Sequence, residues 1–294
     1  MQVHFSLEQI PEISLPVVTM GSFDGVHAGH RVIIARLNYL AQRAGGESVL
    51  ITFHPHPRKV LYPETAGKKL KLITTLAEKC RVMEETGLDH LVVLEFTKDF
   101  ARTTPERFVE EYLVEKLHVH TIVVGFNHYF GHNKEGSFES LYRAREEYGF
   151  TVEEIPEQEI QNETVSSTKI RKAIAEGHIQ RANAYLDHFY ILKADMEYLF
   201  EESEVLGKSC FSLSSDDPNK LIPPLGSYAV SFFCKESQQK GLLRITPKGN
   251  YLFPLDLKDC RLSACSFLYF HKHLVIGEEE LLEKEIKAVE ELIY

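Results

Sequence analysis

Two histidines separated by two residues lie in a glycine-rich segment that follows a short apolar run. The segment reads Gly21-Ser22-Phe23-Asp24-Gly25-Val26-His27-Ala28-Gly29-His30 and leads into an amphipathic stretch. Glycine permits a tight turn and a close approach of the backbone to a ligand. If a helix begins here, the spacing places both imidazoles on one face of its N-terminus, where free N–H groups and the helix dipole favour an anion. The pattern predicts a phosphate-binding turn.

Other interpretations of His27 and His30 stay open on the residues alone. Neither the GxxxxGK[ST] nor the GxGxxG phosphate-binding pattern is present. A zinc site would need further ligands, and His54 and His56 are candidates, but no cysteine or carboxylate spacing completes the set. The remaining alternative is a pair of turn histidines that bind nothing.

A proline-rich segment follows the second apolar run and reads Thr52-Phe53-His54-Pro55-His56-Pro57. Its two prolines predict an extended, non-helical path. Such a path would place Phe53 and the histidines at the end of a strand. The alternative is a rigid loop without a ligand.

Polar residues also follow the fourth apolar run, in the segment Gly125-Phe126-Asn127-His128-Tyr129-Phe130-Gly131. The amide of Asn127 both donates and accepts hydrogen bonds. Ligands of open parallel sheets bind beyond the carboxyl ends of the strands, so Asn127 is a candidate site residue.

A further polar segment, Ser166-Ser167-Thr168-Lys169-Ile170-Arg171, places three hydroxyls at a predicted helix start. The simplest interpretation is an N-cap. Two cations in the first turn are, however, unfavourable at the positive end of a helix dipole. An anionic ligand would relieve that cost.

The elements that must position these residues alternate between strands and helices. Short apolar runs predict strands covered on both faces, at residues 17–20, 49–53, 91–94 and 121–124. Helical patterns bounded by Gly or Pro lie between them, at residues 31–43, 75–86 and 105–117. The alternation predicts an α/β fold with a doubly wound, Rossmann-like parallel sheet.

The pattern changes after two short helical stretches at residues 168–176 and 179–186. Strand-like segments without intervening helices follow, at residues 189–194, 209–213, 227–234, 241–245 and 266–271. They predict a small antiparallel barrel or sandwich, and apolar spacing over residues 278–294 predicts a C-terminal helix. We therefore expect two domains, residues 1–186 and 187–294.

Composition argues against several classes of protein. The 294 residues include 33 Lys+Arg and 43 Asp+Glu, a net charge of −10, which disfavours broad nucleic-acid binding. No run approaches the ~18 apolar residues of a membrane span, and the first residues lack a signal-peptide pattern. We expect a cytoplasmic protein without nucleic-acid or membrane partners. Its five cysteines lack a CxxC pair and predict reduced, mostly buried thiols.

Together, GSFDGVHAGH, TFHPHP, VGFN–YFG and SSTKIR occur in the order found in the bacterial bifunctional riboflavin kinase/FAD synthetase family, which the chain resembles over nearly its whole length. That family has an N-terminal nucleotidylyltransferase domain of the HxGH superfamily and a C-terminal β-barrel flavokinase domain. The resemblance implies that residues 1–186 transfer AMP from ATP to FMN, giving FAD and pyrophosphate, with Mg²⁺ carried by ATP. It also implies a barrel, rather than a sandwich, for residues 187–294.

The resemblance implies roles for the motif residues. His27 and His30 would hold the ATP phosphates, Asn127 would lie near the phosphates and Mg²⁺, and Arg171 would belong to a motif that closes over the triphosphate. The other implied ATP contacts are Gly21, Phe23, Asp24, Gly25, Gly29, Ser166, Ser167, Thr168 and Lys169. The implied flavin contacts are Phe53, Pro55, His56 and Pro57. No protein metal ligand is implied, and the transfer needs placement and charge stabilisation rather than a protein nucleophile.

The chain also departs from the family pattern. His128-Tyr129 stands where Phe-Arg is usual, and Lys169 where Arg is usual. The flavokinase motif GRxLGFPTAN, whose Thr and Asn bind Mg²⁺ and nucleotide, is reduced to Leu-Gly within residues 204–213, where Ser209, Cys210, Phe211 and Ser212 replace Pro, Thr, Ala and Asn. Losing these hard oxygen ligands predicts a barrel without riboflavin kinase activity.

Four functional hypotheses follow. The first is an FMN adenylyltransferase with an inactive kinase-like domain. The second is the same transferase acting on another phosphorylated acceptor. The third is a regulator that binds flavin nucleotides without catalysis, and the fourth is a bifunctional enzyme with a diverged kinase site.

Overall fold

The computed structural model describes residues 1–8, 10–126, 128–156, 159–160, 163–200, 209–215, 217–234, 237–255, 265–274, 285 and 289. The chain divides into two compact units, Met1–Leu70 with Lys79–Val165, and Lys71–Glu78 with Ser166–Tyr294. The domain boundary between residues 186 and 187 stays a prediction.

The first unit contains a parallel sheet of six strands in the order β1-β4-β3-β2-β5-β6. The strands are β1 (Gln2–His4), β2 (Val17–Met20), β3 (Ser48–His54), β4 (His90–Glu95), β5 (Thr121–Gly125) and β6 (Thr151–Ile155). A small antiparallel pair follows, β7 (Glu159–Ile160) with β8 (Glu163–Thr164). The predicted parallel sheet is confirmed.

The helices between these strands are α1 (Ala28–Ala44), α2 (Pro57–Leu61), α3 (Ala66–Lys69), α4 (Leu76–Glu84), α5 (Pro105–Arg107) and α6 (Phe138–Tyr148). The first three residues of α4 belong to the second unit. Helix α5 continues without a break into a π-helical stretch, Phe108–Lys116. Two 3₁₀ turns, Phe100–Arg102 and His132–Lys134, complete the set within the part of the chain that is described.

Alternate residues of the central strands face opposite sides of the sheet, as the two-residue period of a strand requires. Val18 and Met20 contribute to a core that also contains Phe108, Leu113 and Leu141. The central strands are almost completely buried, which is expected when helices cover both faces. The doubly wound arrangement predicted from the apolar runs is therefore present.

The path of the proline-rich segment differs from the prediction. The His54–Pro55 peptide bond is cis, and helix α2 begins at Pro57 with His56 as its N-cap. The Nδ1 atom of His56 accepts a hydrogen bond from the Arg58 N–H at 3.1 Å. Proline is favourable at the first position of a helix, where its missing N–H has no partner to lose. The expected extended path therefore ends at His56.

The second unit contains a closed antiparallel barrel in the order β10-β13-β12-β11-β14-β9. Its strands are β9 (Tyr190–Phe200), β10 (Cys210–Ser214), β11 (Gly226–Cys234), β12 (Ser237–Thr246), β13 (Gly249–Pro254) and β14 (Cys265–Leu274). Helices α7 (Ser167–Ala175) and α8 (Ile179–Leu186) precede it. The barrel prediction is confirmed; β13 is a strand that the sequence patterns did not identify.

Helix α8 contacts the barrel, as do Glu285 and Val289, the two described residues near the C-terminus. The Asn183 side chain donates to the Phe270 carbonyl and accepts from the Tyr190 N–H, both at 2.8 Å. Of the predicted C-terminal helix, only Glu285 and Val289 are described, and both are helical and buried. The rest of that prediction lies outside the described residues.

The cysteines correct one expectation. Cys80 and Cys210 are free thiols, whereas Cys234 is disulfide-bonded. The expectation of reduced thiols is therefore wrong at Cys234. Separately, no helix within the described ranges is both long and apolar enough to cross a bilayer.

Candidate functional site

The order in which the strands are added to the sheet reverses between β2 and β5. From β2 the chain proceeds to β3 and β4 on one side, and then returns to place β5 on the other side of β2. Ligands of doubly wound sheets bind in the crevice beyond the carboxyl ends of the strands at such a switch point. We therefore expect the segments that follow β2 and β5 to form a ligand-binding site.

The loop after β2 has an unusual backbone. Phe23 and Val26 both have a φ of +44°, and Gly25 between them has a φ of +89°. Glycine adopts positive φ readily, but a bulky or β-branched residue does so at a cost of about 1–3 kcal/mol. Phe23 and Val26 are buried, so packing holds the loop in this conformation.

Helix α1 begins directly after this loop, with His27 as its N-cap. The Nδ1 atom of His27 accepts a hydrogen bond from the His30 N–H at 3.4 Å. The two imidazoles stack with their ring centroids 3.6 Å apart and their planes 13° from parallel. The structure thus places both histidines together at a helix N-terminus that has no acidic residue in its first turn.

The environment keeps His30 neutral. Its pKa lies well below the ordinary value because the ring is buried, and the charges of His27 and Lys79 lower it further. The Nδ1 atom of His30 is buried, and no hydrogen-bond partner for it occurs among the described residues. A neutral imidazole can donate from one nitrogen and accept at the other, so His30 retains hydrogen-bonding capacity for a ligand.

A cavity of about 310 Å³ opens at this place. Its polar wall includes Ser22, His27, His30 and His128, and the glycines Gly21, Gly29 and Gly125 also line it. Apolar side chains form much of the remaining wall: Phe23, Ile33, Phe126, Ile155, Pro156 and Val165. Among the described residues that line the cavity, none is a carboxylate. Such a mixture suits a ligand that has both an anionic group and a flat apolar ring.

His128, one of the departures from the family pattern, contributes a third imidazole to the cavity wall. Burial lowers its pKa to about 4, and its Nε2 atom is buried without a hydrogen-bond partner in the described part of the chain. Its ring stacks on Phe130 at 6.1 Å. At neutral pH this side chain is therefore an uncharged polar group of the cavity.

The sequence analysis missed Lys79, a buried cation on α4 that is 6% exposed. Its Nζ atom donates to the Ser22 carbonyl at 2.6 Å and to Thr52 Oγ1 at 2.9 Å. The signal was present in the sequence, because Lys79 lies at helical spacing between Leu76 and Met83, on what is otherwise an apolar stripe.

Asp24, Gly25 and Phe53 are also predicted ligand contacts, but they are not among the described residues that line the cavity. Asp24 is buried beside Lys79, whose pKa its charge raises, and Gly25 is buried in the turn. Asn127 lies outside the described residues. Of the predicted flavin contacts, Phe53 packs against Phe96 at a centroid distance of 5.6 Å.

The remaining predicted flavin contacts are surface residues. Pro55 is exposed, whereas His56 and Pro57 are half-buried. Their role as flavin contacts stays a prediction.

The predicted Ser166–Arg171 motif belongs to the second unit, where it forms the start of α7. Ser166 is the N-cap, and its hydroxyl accepts a hydrogen bond from the Lys169 N–H at 3.4 Å. Thr168 and Lys169 are exposed, and Ser167 is half-buried. Arg171 Nε donates to the Lys71 carbonyl at 2.8 Å. The capping role is present, and the contact with ATP stays a prediction.

Within the residues that the structure describes, no group of three or more His, Cys, Asp or Glu side chains has the arrangement of a metal site.

Comparison with protein families and curated sequences places the chain among flavin-nucleotide enzymes. A family model described as FAD synthetase matches residues 10–169. A bifunctional riboflavin kinase/FMN adenylyltransferase from Listeria monocytogenes is 33% identical over 229 residues, which cover 78% of this chain and 71% of the relative. A protein of the same description from Pseudomonas fluorescens is 36% identical over 221 residues, covering 75% and 69%. The counterpart from Escherichia coli K12 is 30% identical over 226 residues, covering 76% and 70%.

A solved structure has the same architecture. A Streptococcus pneumoniae protein described as a macrolide-efflux protein superposes with a TM-score of 0.82 at 23% identity, covering 99% of this chain and 97% of the other. At that identity the likeness establishes the fold alone.

Proposed function

Because the chain belongs to the FAD synthetase family of bacterial riboflavin kinase/FMN adenylyltransferases, we propose that it transfers the adenylyl group of ATP to FMN. A phosphate oxygen of FMN attacks the α-phosphorus, the bond from that phosphorus to the bridging oxygen of pyrophosphate breaks, and FAD and pyrophosphate are released. The observation that carries this proposal is the stacked pair of His27 and His30 at the N-terminus of α1, in the cavity beyond β2.

The chain's own groups suit this transfer. Negative charge grows on the α-phosphate oxygens and on the leaving pyrophosphate, and preorganised donors at such positions lower the barrier. His27 and His30 offer imidazole donors, and the first turn of α1 offers backbone N–H groups. The apolar wall that includes Ile33, Ile155 and Val165 suits the adenine ring. We also propose that Asn127, Arg171 and the Ser166–Lys169 segment contact the ATP phosphates, and that Phe53, Pro55, His56 and Pro57 contact the flavin.

Magnesium fits this site as a companion of ATP. The described residues of the cavity wall supply hydroxyl and carbonyl oxygens but no carboxylate, so phosphate oxygens and water would be the main ligands of Mg²⁺. Bound there, the ion would neutralise charge on the phosphates. Because the reaction consumes ATP, we propose a cytoplasmic location.

We further propose that the barrel has no riboflavin kinase activity. Cys210 and Ser212 stand on strand β10, where the family pattern has the Mg²⁺-binding Thr and Asn. The Cys210 thiol is free and buried, and burial raises its pKa. A protonated thiol is a poor ligand for a hard cation. Residues 204–208 of the same motif lie outside the described part of the chain.

Two assays with the purified full chain test these proposals. With ATP, Mg²⁺ and FMN, we expect FAD and pyrophosphate in equal amounts. With ATP, Mg²⁺ and riboflavin, we expect no FMN. FMN formation from riboflavin would instead support the bifunctional alternative.

Two further outcomes would separate the remaining hypotheses. Binding of ATP and FMN without any product would favour the regulator. Turnover with another phosphorylated acceptor, but not with FMN, would favour a transferase of different specificity.

A further inference from the structure

A buried lysine lies behind the loop that carries the two histidines. Lys79 is 6% exposed, and its partner Thr52 is fully buried. Lys79 Nζ donates to the Ser22 carbonyl at 2.6 Å and to Thr52 Oγ1 at 2.9 Å, and Thr52 Oγ1 donates to the same carbonyl at 3.2 Å. The three groups form a closed network that links α4, β3 and the loop after β2.

This network fixes the part of the loop that lines the cavity. Ser22 lines the cavity and immediately precedes Phe23, whose φ of +44° is strained. Hydrogen bonds from a charged donor are about twice as strong as neutral ones. The Lys79 ammonium therefore offsets backbone strain at the point where the chain turns towards His27 and His30.

The network also determines where the positive charge of the site lies. Lys79 faces Asp24 of the loop, Cys80 of its own helix and His30 of α1. Its positive charge is one of the causes that lower the pKa of His30. The buried ammonium of Lys79 thus lies near the neutral His30 ring. Its charge makes the electrostatic potential at the histidine pair more positive, which favours an anionic ligand.

We propose that charged Lys79 is a positioning residue for phosphate binding. It holds the Ser22 carbonyl and the strained loop in place, and it supplies positive potential behind the histidine pair without touching the substrate. This inference rests on the proposed function for the identity of its ligand, ATP.

The geometry implies a pH dependence with a definite sign. Burial lowers the pKa of Lys79 to about 8, and the nearby Asp24 charge opposes that shift. As pH rises through this range in the free protein, the ammonium loses its proton, and both the strong hydrogen bond and the positive potential are lost. Affinity for ATP therefore decreases above about pH 8, while bound phosphates stabilise the charged form and raise the pKa.

The test compares Lys79→Met, Lys79→Arg and the wild type, with Lys68→Met as the matched control because the Lys68 side chain is 71% exposed. Binding of a non-hydrolysable ATP analogue is measured by calorimetry from pH 6.5 to 9.5. We expect Lys79→Met to weaken binding about ten- to a hundredfold at pH 7, the range for losing a hydrogen bond to a charged group. We also expect it to remove the alkaline decline.

The conservative variant and a spectroscopic readout complete the design. Lys79→Arg keeps a charge at all these pH values, so it should retain part of the affinity while losing the alkaline decline. In Lys79→Met, the pKa of His30 measured by NMR should rise. If Lys79→Met does not fold, the affinity of Lys79→Arg and the pH profile of the wild type still test whether the Lys79 charge supports ATP binding.

The proposal would be overturned if Lys79→Met bound the analogue as tightly as the wild type and kept the same alkaline decline. It would also be overturned if the affinity of the wild-type protein did not change across pH 8. Neither readout depends on FAD formation. Failure to make FAD, with the analogue-binding pattern intact, would therefore count against the proposed function and not against Lys79.

Discussion

At the scale of single residues, the site depends on imidazoles that are polar without being charged. His30 has a pKa held well below its ordinary value by burial and by its neighbours His27 and Lys79, and that of His128 is lowered to about 4 by burial. Two stacked imidazolium ions at 3.6 Å would repel each other strongly in a buried site. A neutral His30 ring avoids this cost and can still donate a hydrogen bond to an anionic ligand.

The replacement His30→Ala tests this role. It removes one preorganised donor, and loss of one donor to developing charge typically lowers kcat by about 10²–10³-fold. Affinity for ATP should decrease much less, because charge on the phosphates increases in the transition state. The measurement is FAD formation by chromatography, together with calorimetric binding of an ATP analogue.

His178→Ala is the matched control, because the His178 side chain is 59% exposed and is not among the described residues that line the cavity; its turnover should equal that of the wild type. An unchanged kcat in His30→Ala would exclude His30 from the chemistry and leave it a structural role at the start of α1.

Residue-scale prediction from the sequence succeeded where a motif combined chemistry with a backbone constraint. Glycines and a three-residue spacing were enough to place His27 and His30 together at a helix start. Lys79 was missed although its spacing from Leu76 and Met83 places it on an apolar stripe, because one lysine in an amphipathic helix is usually solvated. Only the fold shows that its position on the apolar stripe buries it against the Ser22 carbonyl.

At the scale of elements, helix α1 connects folding to chemistry through its N-cap. His27 has the extended backbone of a cap residue and accepts the His30 N–H through Nδ1. Histidine is not among the residues favoured at this position, whereas Ser, Thr, Asp and Asn are. Histidine at this position therefore caps the helix less strongly than those residues would, but it places an imidazole in the cavity wall.

Two substitutions separate capping from chemistry. His27→Ser keeps a cap acceptor, so its stability in urea unfolding should match or exceed that of the wild type. His27→Ala removes the acceptor and should lose about 0.5–1 kcal/mol, the lower part of the range for N-cap replacements, because the 3.4 Å hydrogen bond is long. Both should lose FAD formation to a similar extent. Recovery of turnover in His27→Ser alone would show that the cap, and not the imidazole, is what the reaction requires.

Element-scale prediction was accurate for buried strands and poor for short or irregular segments. Runs such as residues 121–124 are continuous and β-branched because helices cover both faces of the sheet. Strand β1 has three residues, and β6 contains two adjacent glutamates, Glu153 and Glu154, so neither resembles a doubly covered strand. Pro57 was interpreted as a helix breaker although it occupies the first helical position.

At the scale of the whole molecule, the inserted segment Lys71–Glu78 is bound within the second unit by a buried ion pair. Lys220 Nζ donates to Glu78 Oε2 at 2.7 Å, and neither side chain is exposed. The same ammonium also donates to the Ile73 and Ile191 carbonyls, both at 2.6 Å. Glu78 in turn accepts the N–H groups of Thr75 and Lys193, both at 2.7 Å.

No sequence pattern indicated this arrangement, because Glu78 and Lys220 are 142 residues apart and each is unremarkable in its own segment. The pair is formed only when segment 71–78 packs against β9 and the loop that contains Lys220. Motifs within one loop were therefore predictable, and long-range pairing of charges was not.

Replacing one partner of this pair should be far more costly than replacing an exposed pair. Lys220→Met leaves the Glu78 carboxylate buried without its cation, and breaking a buried pair in this way costs about 3–5 kcal/mol. The double variant Glu78→Gln/Lys220→Met removes both charges and should recover part of the loss. Arg102→Met is the control. The Arg102 side chain is 75% exposed and that of its partner Asp99 is 92% exposed, and exposed ion pairs contribute little to stability.

Urea unfolding gives the size of these effects, and hydrogen exchange locates them. In Lys220→Met, the Thr75 and Lys193 amides should exchange faster than in the wild type, because their acceptor Glu78 no longer has a fixed position. If the double variant is as unstable as Lys220→Met, the destabilisation comes from lost packing and from the unpaired Ile73 and Ile191 carbonyls, and the buried charge of Glu78 is not its cause. Partial recovery in the double variant, with protection restored at Thr75, would instead assign the cost to the unpaired carboxylate.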